Sequence, residues 1–166
     1  MILALGMQAS SSVQPAVNIE VAFHDDYDLN AASIRFAKGE IGIYFIYLKE
    51  LRIPYPFRSS RLIYIGMSES RQNSVGNRLH AHRTGQSGNI AIRNYAQRNA
   101  VKFTYQSLQG LIGLGTRNIH ELETFFLNNF LHTHGAFPLC NNQSGMEIDA
   151  KMLDSERIGV EWEHFA

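Results

Sequence analysis

The feature that most constrains the fold is an apolar run, Ile41–Leu48, with the sequence IGIYFIYL. Its aromatic and β-branched side chains predict a strand. Leu62–Ile65 predicts a second strand that ends at Gly66, and two prolines place a loop over Glu50–Ser60 between the strands. A strand–loop–strand unit therefore organises the middle of the chain.

The remaining elements follow from periodicity and turn residues. Helical spacing and terminal glycine favour helices, and strict alternation of apolar and polar residues favours a third strand. The resulting order is β-β-α-(α)-β-α, which is too short for a doubly wound sheet. The predicted elements are an early helix over Leu29–Ala37, helices over Asn73–Arg83, Ala91–Gln97 and Asn118–Leu131, and a strand over Val101–Leu108.

Composition excludes several classes of protein. The 166 residues are one domain's worth of chain, and a hydrophobic fraction of 45% permits a core. A single cysteine, Cys140, excludes an intramolecular disulfide and a cysteine-rich zinc site. The apolar run Met1–Met7 is far shorter than the roughly 20 residues of a spanning helix and lacks a basic leader. We therefore expect an intracellular, cytoplasmic protein without a membrane partner.

The net charge of zero conceals three segments of opposite sign. Residues 1–48 hold two basic and five acidic side chains, net −3; residues 49–117 hold eleven and two, net +9; residues 118–166 hold two and eight, net −6. Nine of the eleven central cations are arginines, which suit bidentate contacts to phosphate. The pattern favours an anionic partner, nucleic acid first, and its alternative is mutual neutralisation between the segments.

Two tripeptides on the predicted strands carry a family resemblance. Gly42–Tyr44 reads GIY and Tyr64–Gly66 reads YIG, in that order. Together they resemble the signature of the GIY-YIG nuclease family, over about residues 41–142. Further positions match the family pattern in chain order: Arg78 and His82 on the helix after the second motif, Glu123 on the last helix, and Asn141 after Pro138.

The resemblance implies a fold and a domain organisation. The expected fold class is α/β (α+β), a small three-stranded antiparallel-type sheet flanked by helices. Residues 1–16 are then a flexible leader, 17–40 an N-terminal extension, 41–142 the catalytic domain and 143–166 an acidic C-terminal extension in which Trp162 is the one late anchor.

Helix geometry separates two glutamates. At 100° per residue, Glu123 lies about 40° from Ile119, within the apolar side of its helix, and Glu121 lies nearly opposite. Asn118 and Glu121 have the spacing of a capping box. An inward carboxylate requires a partner, so Glu123 is the candidate ligand for Mg²⁺ or Mn²⁺, and a salt bridge to arginine is the alternative.

The other motif residues have chemical roles that the resemblance suggests. Arg78 and His82 share a helix face, where Arg78 would clamp a phosphate and His82 would move a proton or orient a hydroxyl. Tyr44 would help to deprotonate the attacking water and Tyr64 would orient it, or the reverse, provided that nearby cations lower the phenol pKa. Packing in the core is the alternative for both tyrosines.

Asn141 is expected to tether the backbone beside the site, and Asn142 is its alternative register. The candidates for DNA-backbone contact, with a solvated surface as the alternative for each, are Arg71, Arg83, Arg93 and Arg98.

The predicted function is therefore a divalent-metal-dependent DNA endonuclease, of restriction or mobile-element and phage type. The alternatives are a structure-specific repair nuclease, a catalytically silent nucleic-acid-binding module, and an interaction domain whose acidic tail masks the basic segment. A restriction enzyme with one site per chain would cut both strands as a homodimer or a higher assembly.

Overall fold

A computed structural model describes residues 19–141 and 157–166. Predictions that fall on residues 1–18 and 142–156, including the leader and most of the acidic extension, lie outside this part. The strands are β1 Ile19–Val21, β2 Tyr27–Asp28, β3 Gly42–Leu48, β4 Ile53–Pro54, β5 Ser59–Ser60, β6 Leu62–Ser68, β7 Val101–Ser107 and β8 Ile158–Val160. The helices are α1 Ala31–Ile34, α2 Val75–Thr84, α3 Ile90–Arg98 and α4 Ile119–His134, with 3₁₀ turns at Arg35–Ala37, Ile112–Leu114 and Trp162–Phe165.

The central sheet has the strand order β2-β7-β3-β6 and is antiparallel throughout. The mixed α/β class with an antiparallel sheet is confirmed, but the prediction of three strands is wrong. The fourth strand is β2, whose two residues Tyr27 and Asp28 pair with Phe103 and Lys102. So short an edge strand carries no alternation in the sequence, because its position depends on the strand it joins.

Alternate residues of β3 enter two different cores. Ile43, Phe45 and Tyr47 pack with α4 and the C-terminal segment. Tyr44, Ile46 and Leu48 pack with buried residues of α1, α2 and α3. Every β3 residue is therefore buried, and the even-numbered side chains lie on the face that α2 covers.

Local sequence signals predicted the bounds of α2 closely but ended β6 too early. α2 begins after Ser74, whose side chain accepts a hydrogen bond from the Asn77 N–H, and ends at Gly85 with φ of 78°. β6 does not end at Gly66 but continues to Ser68, because Gly66 pairs with Tyr44 in the ladder to β3.

The C-terminal residues belong to the core. β8 runs parallel to β1, and Trp162 and Phe165 are almost fully buried. The Trp162 Nε1–H donates to Asn129 Oδ1 at 2.7 Å, and the Arg61 N–H donates to the Phe165 carbonyl at 2.7 Å. Residues 157–166 therefore stabilise the fold, so deletion of residues 146–166 would disrupt the core as well as remove acidic charge. Among the described helices, none combines the length and the apolar composition needed to cross a bilayer.

His134 makes stability depend on pH. It is 1% exposed, its ring stacks on Phe130 at 3.9 Å, and burial lowers its pKa to about 4. The free energy of unfolding is expected to be highest above pH 6.5, where the imidazole is neutral in both states. It falls as pH drops toward 4, by about 2–3 kcal/mol, because the unfolded chain binds a proton that the folded chain excludes. Urea unfolding at pH 7 and pH 4.5 measures this loss.

The control compares two histidines of α4. His134→Leu should remove its own share of the pH dependence between pH 6.5 and 4, about 2–3 kcal/mol, and leave the share of the buried His82. His132→Leu, at an exposed position, should leave the whole dependence unchanged. An equal pH dependence in wild type and His134→Leu would contradict the assignment.

Candidate active site

The two motif tyrosines lie side by side on neighbouring strands. Tyr44 on β3 is fully buried, and Tyr64 on β6 is partly exposed. Their ring centroids are 6.0 Å apart. In the ladder Tyr64 pairs with Ile46, and register partners share a face, so both phenols lie on the α2 side of the sheet.

Glycine is required at both ends of the double motif. A Cβ on Gly66 would lie 2.6 Å from Tyr44 Oη and 2.6 Å from Tyr64 Cε1. A Cβ on Gly42 would lie 2.1 Å from the Gln106 carbonyl oxygen on β7. Gly66 thus permits the close approach of the two tyrosine rings, and Gly42 permits the pairing of β3 with β7.

Helix α2 supplies the next two side chains. Val75 and Leu79 of α2 are fully buried in the core on this face, which turns Arg78 and His82 toward the tyrosines. His82 Nε2 lies 3.0 Å from Tyr44 Oη, a hydrogen bond within the buried site. The predicted orientation of this helix face agrees with the observed contacts.

Two buried nitrogen atoms in this cluster have no hydrogen-bond partner among residues 19–141 and 157–166. They are Arg78 Nε and His82 Nδ1. Buried donors are nearly always satisfied, so unsatisfied ones are typical of sites that bind a ligand. Arg78 also interacts electrostatically with both phenols, which fixes its guanidinium beside them.

The phenols do not titrate as the sequence hypothesis requires. Burial raises the pKa of Tyr44 well above its ordinary value of 10, and the opposing effect of the Arg78 charge is smaller. Burial and the Glu123 charge likewise raise the pKa of Tyr64. Arg78 therefore acts on both phenols in the direction that the sequence hypothesis requires, but without a metal ion it does not offset burial. His82, by contrast, is neutral at pH 7, because burial and Arg78 lower its pKa to about 4.

Glu123 reaches the cluster from α4. Burial raises the pKa of its carboxyl group, while the charges of His120 and Arg78 act in the opposite direction. The Glu123 charge in turn raises the pKa of Tyr64, so the carboxyl group is electrostatically coupled to Tyr64 on β6 and to Arg78 on α2. Its partly buried position agrees with the helix-face prediction.

Glu121 points away, as predicted, but the capping box does not form. Glu121 is exposed and accepts a hydrogen bond from the Thr116 hydroxyl at 2.6 Å. Asn118 does cap α4, through its Oδ1 and the His120 N–H. Thr116 therefore replaces the Asn118 backbone as the partner of Glu121.

The donor set restricts the kind of metal ion that fits. Within the described part of the chain, no three His, Cys, Asp or Glu side chains converge as metal ligands. A cation held mainly by protein side chains is thus not supported there. A single carboxylate, Glu123, is compatible with Mg²⁺ or Mn²⁺, which complete their coordination with water and substrate oxygens.

Asn141 makes the contacts of a tether. Its Oδ1 accepts from the Ile65 N–H at 3.0 Å, and its Nδ2 donates to the Ile65 carbonyl at 2.7 Å. Cys140 is buried next to it and donates its N–H to the Ile63 carbonyl. The Asn141 side chain thereby continues the sheet at the outer edge of β6. Asn142 lies outside the described residues.

The four arginines assigned to DNA contact do not join the cluster. All are exposed, and they lie on the loop after β6 (Arg71), the last turn of α2 (Arg83) and α3 (Arg93 and Arg98). The sequence interpretation missed a contact beside the site, His120 Nε2 to Glu69 Oε2 at 3.3 Å. The i, i+3 spacing of His120 and Glu123 was the available signal.

Searches for similar proteins give no match to a protein-family model, to a curated protein or to a solved structure.

Proposed function

We propose that this chain is a divalent-metal-dependent endonuclease that hydrolyses phosphodiester bonds in DNA. The observation that carries the proposal is the coupling of five polar side chains of four chemical types from β3, β6, α2 and α4. They are Tyr44, Tyr64, Arg78, His82 and Glu123. The same five occupy the positions at which the sequence resembles GIY-YIG nucleases.

Arg78 is the group that would bind the scissile phosphate. Its guanidinium interacts electrostatically with both phenols, and its buried Nε has no partner among the described residues. A phosphate oxygen supplies the acceptor that this donor lacks. A fixed cation at that point also stabilises the charge that develops in the transition state.

Tyr44 and His82 would remove the proton from the attacking water. Because burial keeps the Tyr44 phenol protonated at pH 7, the phenol must lose its proton as it accepts one from water. His82 Nε2, neutral and 3.0 Å away, is the acceptor for that proton. The water oxygen then attacks phosphorus in line, the bond to the leaving oxygen breaks, and Tyr64 orients the water.

Glu123 would hold Mg²⁺ or Mn²⁺ through its carboxylate. When bound, such an ion supplies positive charge to a phosphate oxygen and to the leaving oxygen. Since burial already disfavours the Glu123 anion, a cation there also compensates a desolvation cost that the protein alone does not.

Two further proposals concern partners and the rival function. DNA is the partner that the +9 central segment favours, and a homodimer would let one site per chain cut both strands.

A catalytically silent DNA-binding module is the second candidate function, because burial keeps the Tyr44 phenol protonated at pH 7.

Plasmid cleavage tests the proposal. Purified protein should cut supercoiled DNA in Mg²⁺ and not in EDTA, and Arg78→Ala should lose about 10²–10³-fold in rate, the usual cost of one transition-state donor. His80→Ala is the matched control, because His80 is exposed on the same helix. Salt-sensitive binding without cleavage by the wild type would instead support the silent module.

A further inference from the structure

A pocket lies at the end of the central sheet that carries the candidate active site. It has a volume of about 420 Å³, within the range of small-ligand pockets. Its position follows from the ladder: Ser107, in its wall, pairs with Gly42, which pairs on its other side with Ser68. Tyr44 is two residues beyond Gly42 along β3, which separates their Cα atoms by about 7 Å.

Two arginines from different loops line this pocket. Arg71 comes from the loop after β6, and Arg117 precedes α4. Both are exposed, and within residues 19–141 and 157–166 neither has a salt-bridge partner. Two unpaired guanidinium groups on one pocket are suited to a single phosphate group.

The contacts around the arginines hold their loops together. His120 Nε2 lies 3.3 Å from Glu69 Oε2, joining the loop that carries Arg71 to the segment that carries Arg117. The Thr116 hydroxyl accepts from the Asn118 N–H at 3.1 Å and donates to Glu121. Hydrogen bonds therefore hold both sequence neighbours of Arg117, Thr116 and Asn118.

The rest of the lining combines apolar residues with the polar residues Ser107 and Gln109 and one opposing charge. Ile41, Leu108 and Ile112 form an apolar wall, and the Leu108 N–H donates to the Ile41 carbonyl at 2.7 Å. Glu40 also lines the pocket, so the pocket carries two positive charges and one negative charge. Apolar surface beside a cationic pair matches the sugar and base of one nucleotide and its phosphate.

We infer that this pocket binds one nucleotide of the nucleic-acid strand that the active site cuts, with Arg71 and Arg117 on its phosphate. The inference rests on the proposed function for the identity of the ligand. It adds Arg117, which the sequence interpretation did not select. Of the four arginines that were predicted to contact DNA, only Arg71 lines this pocket. A free nucleotide offers the same chemistry, and the test distinguishes the two sources.

Binding without cleavage tests the pocket. Fluorescence anisotropy of a labelled DNA duplex in EDTA, over a range of KCl concentrations, gives both affinity and its salt dependence. The double variant Arg71→Ala/Arg117→Ala should bind about tenfold more weakly. The slope of log K against log [KCl] should become shallower by about 1, because one phosphate contact is lost. Arg52→Ala, an exposed arginine outside the pocket, should keep the wild-type slope.

Two further measurements complete the test. Glu40→Gln should tighten binding, because it removes the opposing charge from the pocket. A nucleoside monophosphate at micromolar concentration should not displace the duplex, and displacement would overturn the assignment to a strand. If the double variant kept the wild-type affinity and slope, the assignment of this pocket as a nucleotide-binding site would be wrong. Since no step requires cleavage, a protein that binds through these arginines but does not cut contradicts only the proposed function.

Discussion

Glu123→Gln is expected to reduce Mg²⁺-dependent cleavage by more than about 10³-fold without loss of stability. The amide keeps the shape of the side chain but cannot supply the anion that the proposed cation requires. Burial raises the pKa of the Glu123 carboxyl group, so the ionised form is costly in the folded protein. Removing that charge should leave the free energy of unfolding unchanged or raise it by up to about 1 kcal/mol.

Cleavage rates and thermal unfolding of the same preparations measure both effects. Glu121→Gln is the matched control, since Glu121 lies on the same helix, is exposed and contacts Thr116 instead of the site. It should retain wild-type cleavage. A Glu123→Gln protein that cuts at the wild-type rate would refute the role of Glu123, and a large loss of stability would point to a structural salt bridge.

Gly66→Ala is expected to disrupt both stability and activity. The added methyl group would meet Tyr44 and Tyr64 ring atoms at 2.6 Å, and Tyr44 is fully buried and cannot turn away freely. Overpacking of this kind costs about 1–3 kcal/mol. Displacement of Tyr44 also breaks its 3.0 Å contact with His82, so cleavage should fall by at least about 10²-fold.

Gly159→Ala controls for the loss of a glycine from a strand, because a Cβ at Gly159 meets nothing within 4 Å. It should leave unfolding within about 0.5 kcal/mol of wild type and cleavage unchanged. Gly66→Ala should cost less stability in a Tyr64→Ala background than in wild type, because one of the two rings that the new methyl group meets is then absent, and the double variant should recover no activity. Normal cleavage by Gly66→Ala would show that the tyrosine pair tolerates displacement and is not the reaction centre.

Signals within a few residues of one another determined the secondary structure. Alternation and β-branched residues located β3 and β7, and Gly85 located the end of α2. Helix-face geometry also separated Glu123 from Glu121, because the side of a helix on which a residue lies depends only on its spacing from apolar neighbours. These local rules need no knowledge of the remainder of the chain.

Apart from the capping box of α4, the failures involve residues that are distant in sequence. The pairing of β2 with β7, the pairing of β8 with β1 and the continuation of β6 past Gly66 depend on partners that no local pattern identifies. Each is decided by where another element packs.

The candidate site shows the same distinction between local information and contacts that are distant in sequence. The sequence alone determined which residue types stand at the motif positions and on which elements they lie. Only the tertiary structure decided that burial outweighs Arg78 at the Tyr44 phenol and that Arg71 and Arg117 share one pocket. The physical reason is that a pKa and a pocket depend on solvent exclusion and on charges brought together in space, and both arise only when distant segments pack.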